Sequence, residues 1–107
     1  MARRRGPADR PRDPFDPFDG AVDATLDLHG FRADEARLHV PRYIADLARR
    51  EPGALLHIIT GRGRGSDGGP VLRTLVRSLL RQMSGAGPID AHRLDDAGGG
   101  YLVRLRR

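Results

Sequence analysis

Residues 55–83 read LLHIITGRGRGSDGGPVLRTLVRSLLRQM and decide the fold, because they place a strand, a loop and a helix in direct succession. The apolar run Leu55–Ile59 has the length of a strand. Pro70 suits the first turn of a helix, since its missing N–H would be unpaired there in any case. Apolar residues then recur at spacings of three and four, which predicts a helix whose buried face is formed by Val71, Leu72, Leu75, Val76, Leu79, Leu80 and Met83.

The loop of this unit alternates glycine with arginine. Glycine occupies positions 61, 63, 65, 68 and 69, and Arg62 and Arg64 lie between the first three. The N–H groups of the first helical turn and the positive end of the helix dipole point at such a loop, and guanidinium groups match phosphate. The pattern therefore predicts a binding site for phosphate or nucleic acid. The alternative is that the glycines only make a flexible turn.

Two familiar phosphate-binding motifs do not fit this loop. The P-loop ends in Gly-Lys-Ser/Thr, and the chain contains no lysine. The dinucleotide fingerprint needs a third glycine where Ser66 stands, and it follows the first strand of its domain, whereas this loop follows the second. Neither motif is assigned.

Composition excludes several other classes of protein. The chain has 107 residues, which indicates one small domain with a tail. It contains no cysteine, so disulfide bonds, a thiol nucleophile and a thiolate zinc site are excluded. No apolar run approaches ~18 residues and no apolar segment follows the N-terminal arginines, so neither a membrane span nor a secretory signal is predicted. We expect a monomeric, cytoplasmic protein.

The basic residues are unevenly distributed. All 19 are arginines, against 14 acidic residues, which gives a net charge of +5. Residues 1–12 and residues 60–82 each contain five arginines and one aspartate, a net charge of +4 in each region. Two basic regions on a small domain favour a polyanionic partner such as nucleic acid. The alternative is a solvated, arginine-rich surface.

The N-terminal region differs from the rest in composition. Residues 1–22 are predicted to form a disordered or loosely docked basic tail, and residues 23–107 the folded domain. The tail contains two copies of Pro-Phe-Asp, at 14–16 and 17–19. Their phenylalanines, Phe15 and Phe18, are expected to pack loosely on the domain itself, with docking on a partner protein as the alternative.

Three more strands and one more helix are predicted outside the central unit. The strands are residues 24–28, 89–94 and 101–105, and the last two form a hairpin. The additional helix lies between the first two strands. Pro41 lies inside it and predicts a kink or two consecutive helical pieces. The order βαβαββ is typical of a two-layer α/β sandwich with a mixed four-stranded sheet. The helix that contains Pro41 is predicted to begin near Ala33 and to bury Ala36, Val40, Tyr43, Ile44 and Leu47.

Two reactive groups are predicted at one edge of this sheet. A right-handed crossover makes the first two strands parallel, so the loops at their carboxyl ends form one crevice. His29 follows the first strand, and Thr60 with the glycine-arginine loop follows the second. Histidine can move a proton and arginine can stabilise charge that develops on phosphate, so this edge is predicted to be a phosphodiester site.

Asp27 shares a strand face with His29, because the two are two residues apart. It could orient His29, join it at a metal ion or cap a neighbouring loop. One Asp and one His are too few to specify a metal site, so no metal ligand is assigned and a divalent ion is left open as a cofactor. His39, His57 and His92 lack a ligand-like spacing and are interpreted as structural or exposed.

Arg73, Arg77 and Arg81 recur every four residues along the helix that follows the loop. A solvated polar face is the ordinary interpretation of such a stripe. Arg73 lies in the first turn, next to the loop, so it is the expected phosphate contact of the three.

Four segments together resemble the Smr domain, the small MutS-related domain. They are LDLHG at 26–30, ITGRG at 59–63, GPVLR at 69–73 and GGGYLVRL at 98–105. The resemblance implies a βαβαββ fold similar to the C-terminal domain of translation initiation factor three. It also implies nucleic-acid binding and, in many members, endonuclease or nicking activity on DNA or RNA. The sequence contains no MutS-type ATPase, so the resemblance is to the standalone form. Some standalone members act on messenger RNA in translation quality control, and others are linked to DNA repair or recombination.

The resemblance also implies roles for individual residues. The family's D-x-H-G motif falls on Asp27, His29 and Gly30, which makes the first two the expected catalytic residues. Its H/T-G-x-G motif falls on Thr60, Gly61, Arg62 and Gly63, the expected nucleic-acid-binding residues together with Arg64 and Arg73. Thr60 stands where many members carry histidine.

Three functional hypotheses follow. The first is an endonuclease that cleaves or nicks RNA or DNA with His29. The second is a non-catalytic module that binds nucleic acid or the ribosome. The third and weakest is a protein-interaction domain whose tail docks a partner through Phe15 and Phe18.

Overall fold

The computed structural model describes residues 13, 15–61 and 69–107, which form four strands and two helices in the order βαβαββ. The predicted element order is confirmed, and each predicted boundary agrees to within one residue. The elements are β1 (Ala24–Asp27), α1 (Ala33–Arg50), β2 (Leu55–Ile59), α2 (Gly69–Gln82), β3 (Ile89–Leu94) and β4 (Gly100–Leu105).

The four strands form one mixed sheet in the order β1-β2-β4-β3. β1 and β2 are parallel, with Leu26 opposite Ile58. β4 runs antiparallel to both of its neighbours, and with β3 it forms the predicted hairpin. The parallel first pair, which the crossover rule predicted, is therefore confirmed.

Both helices pack on one face of the sheet. Alternate strand residues point toward them, as the period of two requires, and the helices contribute their apolar stripes. Tyr43, Leu75 and Met83 lie at the margin of this core, and Val71 is 58% exposed. The buried core is formed by Leu26, Leu28, Ala36, Val40, Ile44, Leu47, Ala54, Leu56, Ile58, Leu72, Val76, Leu79, Leu80, Ile89, Tyr101, Val103 and Leu105.

Helix α1 continues without a break through Pro41. The sequence predicted a kink or two consecutive pieces there, and the prediction of two pieces is wrong. Proline removes one backbone hydrogen bond and is half-buried here, whereas the buried side chains of Val40 and Ile44 hold the helix to the sheet on both sides of it. Tertiary packing thus outweighs the local preference.

Arg104 ties the N-terminal segment to the face of the sheet that the helices leave open. It lies between Val103 and Leu105, which face the helices, so its side chain points the other way. Its guanidinium is buried and donates to the carbonyl oxygens of Pro17, Asp19 and Gly53, each at 2.7 Å.

The segment that Arg104 binds contains two successive backbone hydrogen bonds between aspartates. The N–H of Asp16 donates to the carbonyl of Asp13, and the N–H of Asp19 donates to that of Asp16, both at 3.2 Å. Phe18 lies under the guanidinium of Arg93, 5.2 Å from its carbon, whereas Phe15 is 91% exposed. One phenylalanine therefore packs on the domain as expected, and the other does not.

We expect the substitution Arg104→Met to lower the free energy of unfolding by roughly 3 kcal/mol, because three carbonyl groups would lose a charged donor in a buried site. Urea denaturation followed by circular dichroism measures this. Arg93→Met is the matched control: it removes an exposed arginine from the same face and should change the stability much less. Equal losses of stability in the two variants would show that the buried contacts of Arg104 do not stabilise the fold.

A second prediction concerns Gly100, at the start of β4. A Cβ atom there would overlap the carbonyl oxygen of Ile58 in β2, and backbone atoms cannot move aside as a side chain can. Gly100→Ala should therefore destabilise the protein by about 3 kcal/mol. Gly98→Ala is the control, because Gly98 has open space around it and only a positive φ of 78°, which costs about 1 kcal/mol. Comparable losses in urea denaturation would rule out the close approach.

Candidate nucleic-acid interface

The two sequence motifs leave the sheet side by side. The N–H of Leu28 donates to the carbonyl of Ile59 at 2.8 Å, which continues the β1–β2 pairing by one more bond. His29 and Thr60 are the next residues of the two segments, so both lie at the carboxyl edge of this parallel pair. The shared edge on which the sequence prediction rests is present in the structure.

The turn between β3 and β4 completes this edge. The carbonyl of Gly99 accepts hydrogen bonds from the N–H groups of Thr60 and Gly61, at 2.9 and 3.1 Å. Gly61 has a φ of 97°, which a residue with a side chain rarely adopts. The beginning of the glycine-arginine loop is therefore fixed by the backbone of a neighbouring turn.

Asp27 and His29 form a local pair at the end of β1. The Asp27 Oδ1 atom accepts the backbone N–H of His29 at 3.0 Å and lies 2.8 Å from the ring Nδ1. The side-chain hydrogen bond from His29, together with the backbone one, lowers the pKa of Asp27. The carboxylate thus stays charged at neutral pH and orients the imidazole, which is 74% exposed. Of the three roles that the sequence left open for Asp27, the structure shows the orienting contact.

Gly30 turns the chain from this pair into helix α1. It has a φ of 83°, and the N–H of Phe31 donates to the carbonyl of Leu28 at 2.9 Å to close the turn. Glu35 then accepts the N–H of Arg32 through Oε1 at 2.8 Å, which satisfies one of the unpaired donors at the helix start. The backbone at His29 is thereby fixed between a strand and a capped helix.

Thr60 differs from its neighbours at this edge because its side chain is buried, with 1% exposure. Its hydroxyl donates to the carbonyl of Gly99 at 3.3 Å. This side chain therefore ties the start of the loop to the β3–β4 turn. The N–H of Thr60 donates to the same carbonyl, so Thr60 fixes the start of the loop, and its contact with nucleic acid stays a prediction.

Part of the predicted anion cradle lies outside the described residues. This applies to Arg62, Gly63 and Arg64. Arg73 is described and is half-buried in the first turns of α2. Its carbonyl accepts the hydroxyl of Tyr101 at 3.2 Å, which fastens the start of α2 to the start of β4.

The other two arginines of the stripe lie near β3. Burial lowers the pKa of His92, and the positive charges of Arg81 and Arg77 lower it further. His92 thus faces α2 in the neutral form, which agrees with its interpretation as a structural histidine.

The structure contains a second histidine–aspartate pair, which the sequence analysis did not predict. His57 Nε2 lies 2.8 Å from Asp95 Oδ2, and both side chains are largely buried on the sheet face opposite the helices. Burial raises the pKa of Asp95, but hydrogen bonds from His57, Gly98 and Gly99 outweigh that effect, and the pKa is lowered. The pair holds the β3–β4 turn against β2. Its residues are 38 positions apart, so only the strand order reveals it.

In the described part of the chain, no three histidine or carboxylate side chains lie close enough together to hold a metal ion. Neither α1 nor α2, as described, combines the length and the apolar character that crossing a membrane requires.

The fold and this edge define a small α/β domain with a histidine–aspartate pair beside Thr60 and Gly61, where the glycine-arginine loop begins. The family model of the Smr domain matches residues 26–106, and the chain belongs to this family. Smr domains are associated with nucleic-acid binding and nuclease activity. No curated protein matches the chain.

We expect Asp27→Asn to move the titration midpoint of the His29 ring to lower pH, since the neutral amide no longer stabilises the imidazolium. NMR titration of the histidine ring protons measures this.

Because the pKa of Asp27 is lowered, the pair stabilises the wild type above about pH 4, and this contribution is lost as the pH falls further.

The control for this titration is Asp96→Asn, which removes a carboxylate that pairs with Arg93 instead. It should leave the His29 midpoint unchanged. A midpoint that stays the same in the Asp27 variant as well would show that the two side chains do not interact in solution.

Proposed function

We propose that this Smr domain is an endonuclease that cuts a phosphodiester bond of RNA or DNA, with His29 as its catalytic residue. The supporting observation is the position of the Asp27–His29 pair, exposed at the sheet edge immediately beside Thr60 and Gly61. An oriented imidazole next to an anion-binding loop is the arrangement that phosphodiester cleavage needs.

The chemistry assigned to His29 follows from its tautomer. With Nδ1–H donating to the Asp27 carboxylate, Nε2 is the nitrogen that exchanges the proton. It takes the proton from the attacking oxygen, either water or a ribose hydroxyl. A new oxygen–phosphorus bond forms, the bond to the leaving oxygen breaks, and that oxygen is protonated in turn. Asp27 stabilises the imidazolium while the proton is held.

The phosphate is assigned to the other side of the edge. Arg62, Arg64 and Arg73 are proposed to bind its oxygens together with the N–H groups of the loop, where the positive end of the α2 dipole adds to their charge. The tie between Tyr101 and the Arg73 carbonyl supports this role, because it keeps the start of α2 close to the edge. Gly63 lets the backbone approach the phosphate.

We expect His29→Ala to reduce cleavage by about a hundredfold or more, because proton transfer by a positioned imidazole contributes that much. The measurement uses end-labelled single-stranded RNA, duplex DNA and branched DNA on denaturing gels, with and without a divalent metal ion. Binding to the same substrates, measured by fluorescence anisotropy, should change little, since the arginines are retained.

The control is His92→Gln, which removes an imidazole that faces α2 instead of the edge. It should leave cleavage near the wild-type rate. Equal cleavage by the wild type and the His29 variant would remove this residue from the mechanism.

A non-catalytic module that binds nucleic acid or a ribosomal surface is the second candidate. Thr60 favours it, because this residue stands where many members of the family carry histidine, and its hydroxyl is directed at a backbone carbonyl. Such a module would show no turnover on any substrate, and its binding would weaken as salt rises, since arginines displace counterions from phosphates. An affinity that does not change with salt would count against both candidates.

A further inference from the structure

A groove runs from the sheet edge along helix α1. It has a volume of about 530 Å³, and His29 lies at one end of it. The other lining side chains are Phe31, Glu35, Leu38, His39 and Arg42. The edge and this groove are therefore one continuous surface, but none of the α1 residues belongs to the two sequence motifs.

The groove follows from the spacing of these residues on the helix. Glu35, Leu38, His39 and Arg42 recur at intervals of three and four, so they share one face of α1. That face is next to the buried one, and its side chains are exposed, including Leu38 at 67%. An exposed leucine between a histidine and two charged residues offers an apolar contact that the fold itself does not use.

Aromatic rings line the middle of the groove. The rings of Phe31 and His39 have their centroids 5.6 Å apart, and the next ring along the helix, Tyr43, lies 6.2 Å from His39. Phe31 packs partly on the core and its N–H is bonded to Leu28, so this ring is held in place before any ligand binds. A fixed ring beside an exposed imidazole is a platform on which a nucleobase can stack.

The charges of the groove differ along its length. Arg42 is exposed and can bind a phosphate oxygen. Glu35 repels phosphate, but its carboxylate can accept a hydrogen bond from a base amino group or a sugar hydroxyl. A ligand with a base, a sugar and a phosphate matches this distribution, whereas a simple anion does not.

We propose that this groove binds the nucleotide adjacent to the phosphate that reacts at His29, with its base stacked on Phe31 and His39 and its following phosphate at Arg42. The inference rests on the proposed function, since it assigns a substrate subsite to the same edge. A single-stranded segment is the required substrate form, because a base within a duplex is not free to stack on protein rings.

The direct test uses adenosine 5′-monophosphate as the probe and the full chain labelled for NMR. We expect saturable shifts of the signals of Phe31, His39 and Arg42, and smaller shifts with inorganic phosphate. Shifts confined to Thr60 and Gly61 with both probes would overturn the proposal, since the probe would then bind only at the edge.

Substitutions test the same point with a single-stranded oligonucleotide in fluorescence anisotropy. His39→Ala should weaken binding about tenfold, the effect of losing one stacked base. Arg42→Ala should weaken it and reduce its salt dependence, because one phosphate contact is lost. The matched controls are Phe15→Ala, an exposed ring on the tail, and Arg49→Ala, an exposed arginine near the end of the same helix.

The outcomes separate this inference from the proposed nuclease. If His29→Ala has no effect on cleavage but His39→Ala weakens binding, the groove stands and the catalytic assignment falls. If His29→Ala abolishes cleavage while the His39 and Arg42 variants bind and react as the wild type does, the groove proposal is wrong. Tighter binding to duplex than to single-stranded oligonucleotides would also overturn it.

Discussion

The parallel pairing of β1 with β2 is the constraint on which the candidate site depends. It extends past the ends of both strands through the hydrogen bond from Leu28 to Ile59, so the chain segments that follow are fixed relative to each other. β4 closes the other side of β2, where Gly100 permits a backbone approach that any side chain would block. A shift of β1 by one residue would turn Asp27 toward the helices and separate it from solvent.

Much of this arrangement could be predicted because it is local in the sequence. The alternation of the strands and the stripes of the helices gave the βαβαββ order, and the handedness of crossover connections then placed His29 and Thr60 at one edge. The orienting role of Asp27 could also be anticipated, since residues two apart on a strand share a face. These inferences need only short-range geometry and one general rule of topology.

The features that the sequence did not reveal depend on packing between distant segments. The pairing of His57 with Asp95 requires the position of the β3–β4 turn relative to β2. The burial of Thr60 requires the carbonyl of Gly99, and the position of the N-terminal segment requires the buried guanidinium of Arg104. The α1 groove had a sequence signal, an exposed stripe next to the buried one, but its meaning depends on where His29 lies.

The site divides into two parts that are stabilised independently. The Asp27–His29 pair is held by contacts between residues two apart and needs little beyond the end of β1 and the turn at Gly30. The side that is predicted to bind anions depends on β2, the β3–β4 turn and the start of α2. A substitution of Asp27 or His29 therefore leaves in place the contacts that hold the start of the loop. The two parts of the edge are separable on this fold because local contacts hold the first and long-range contacts hold the second.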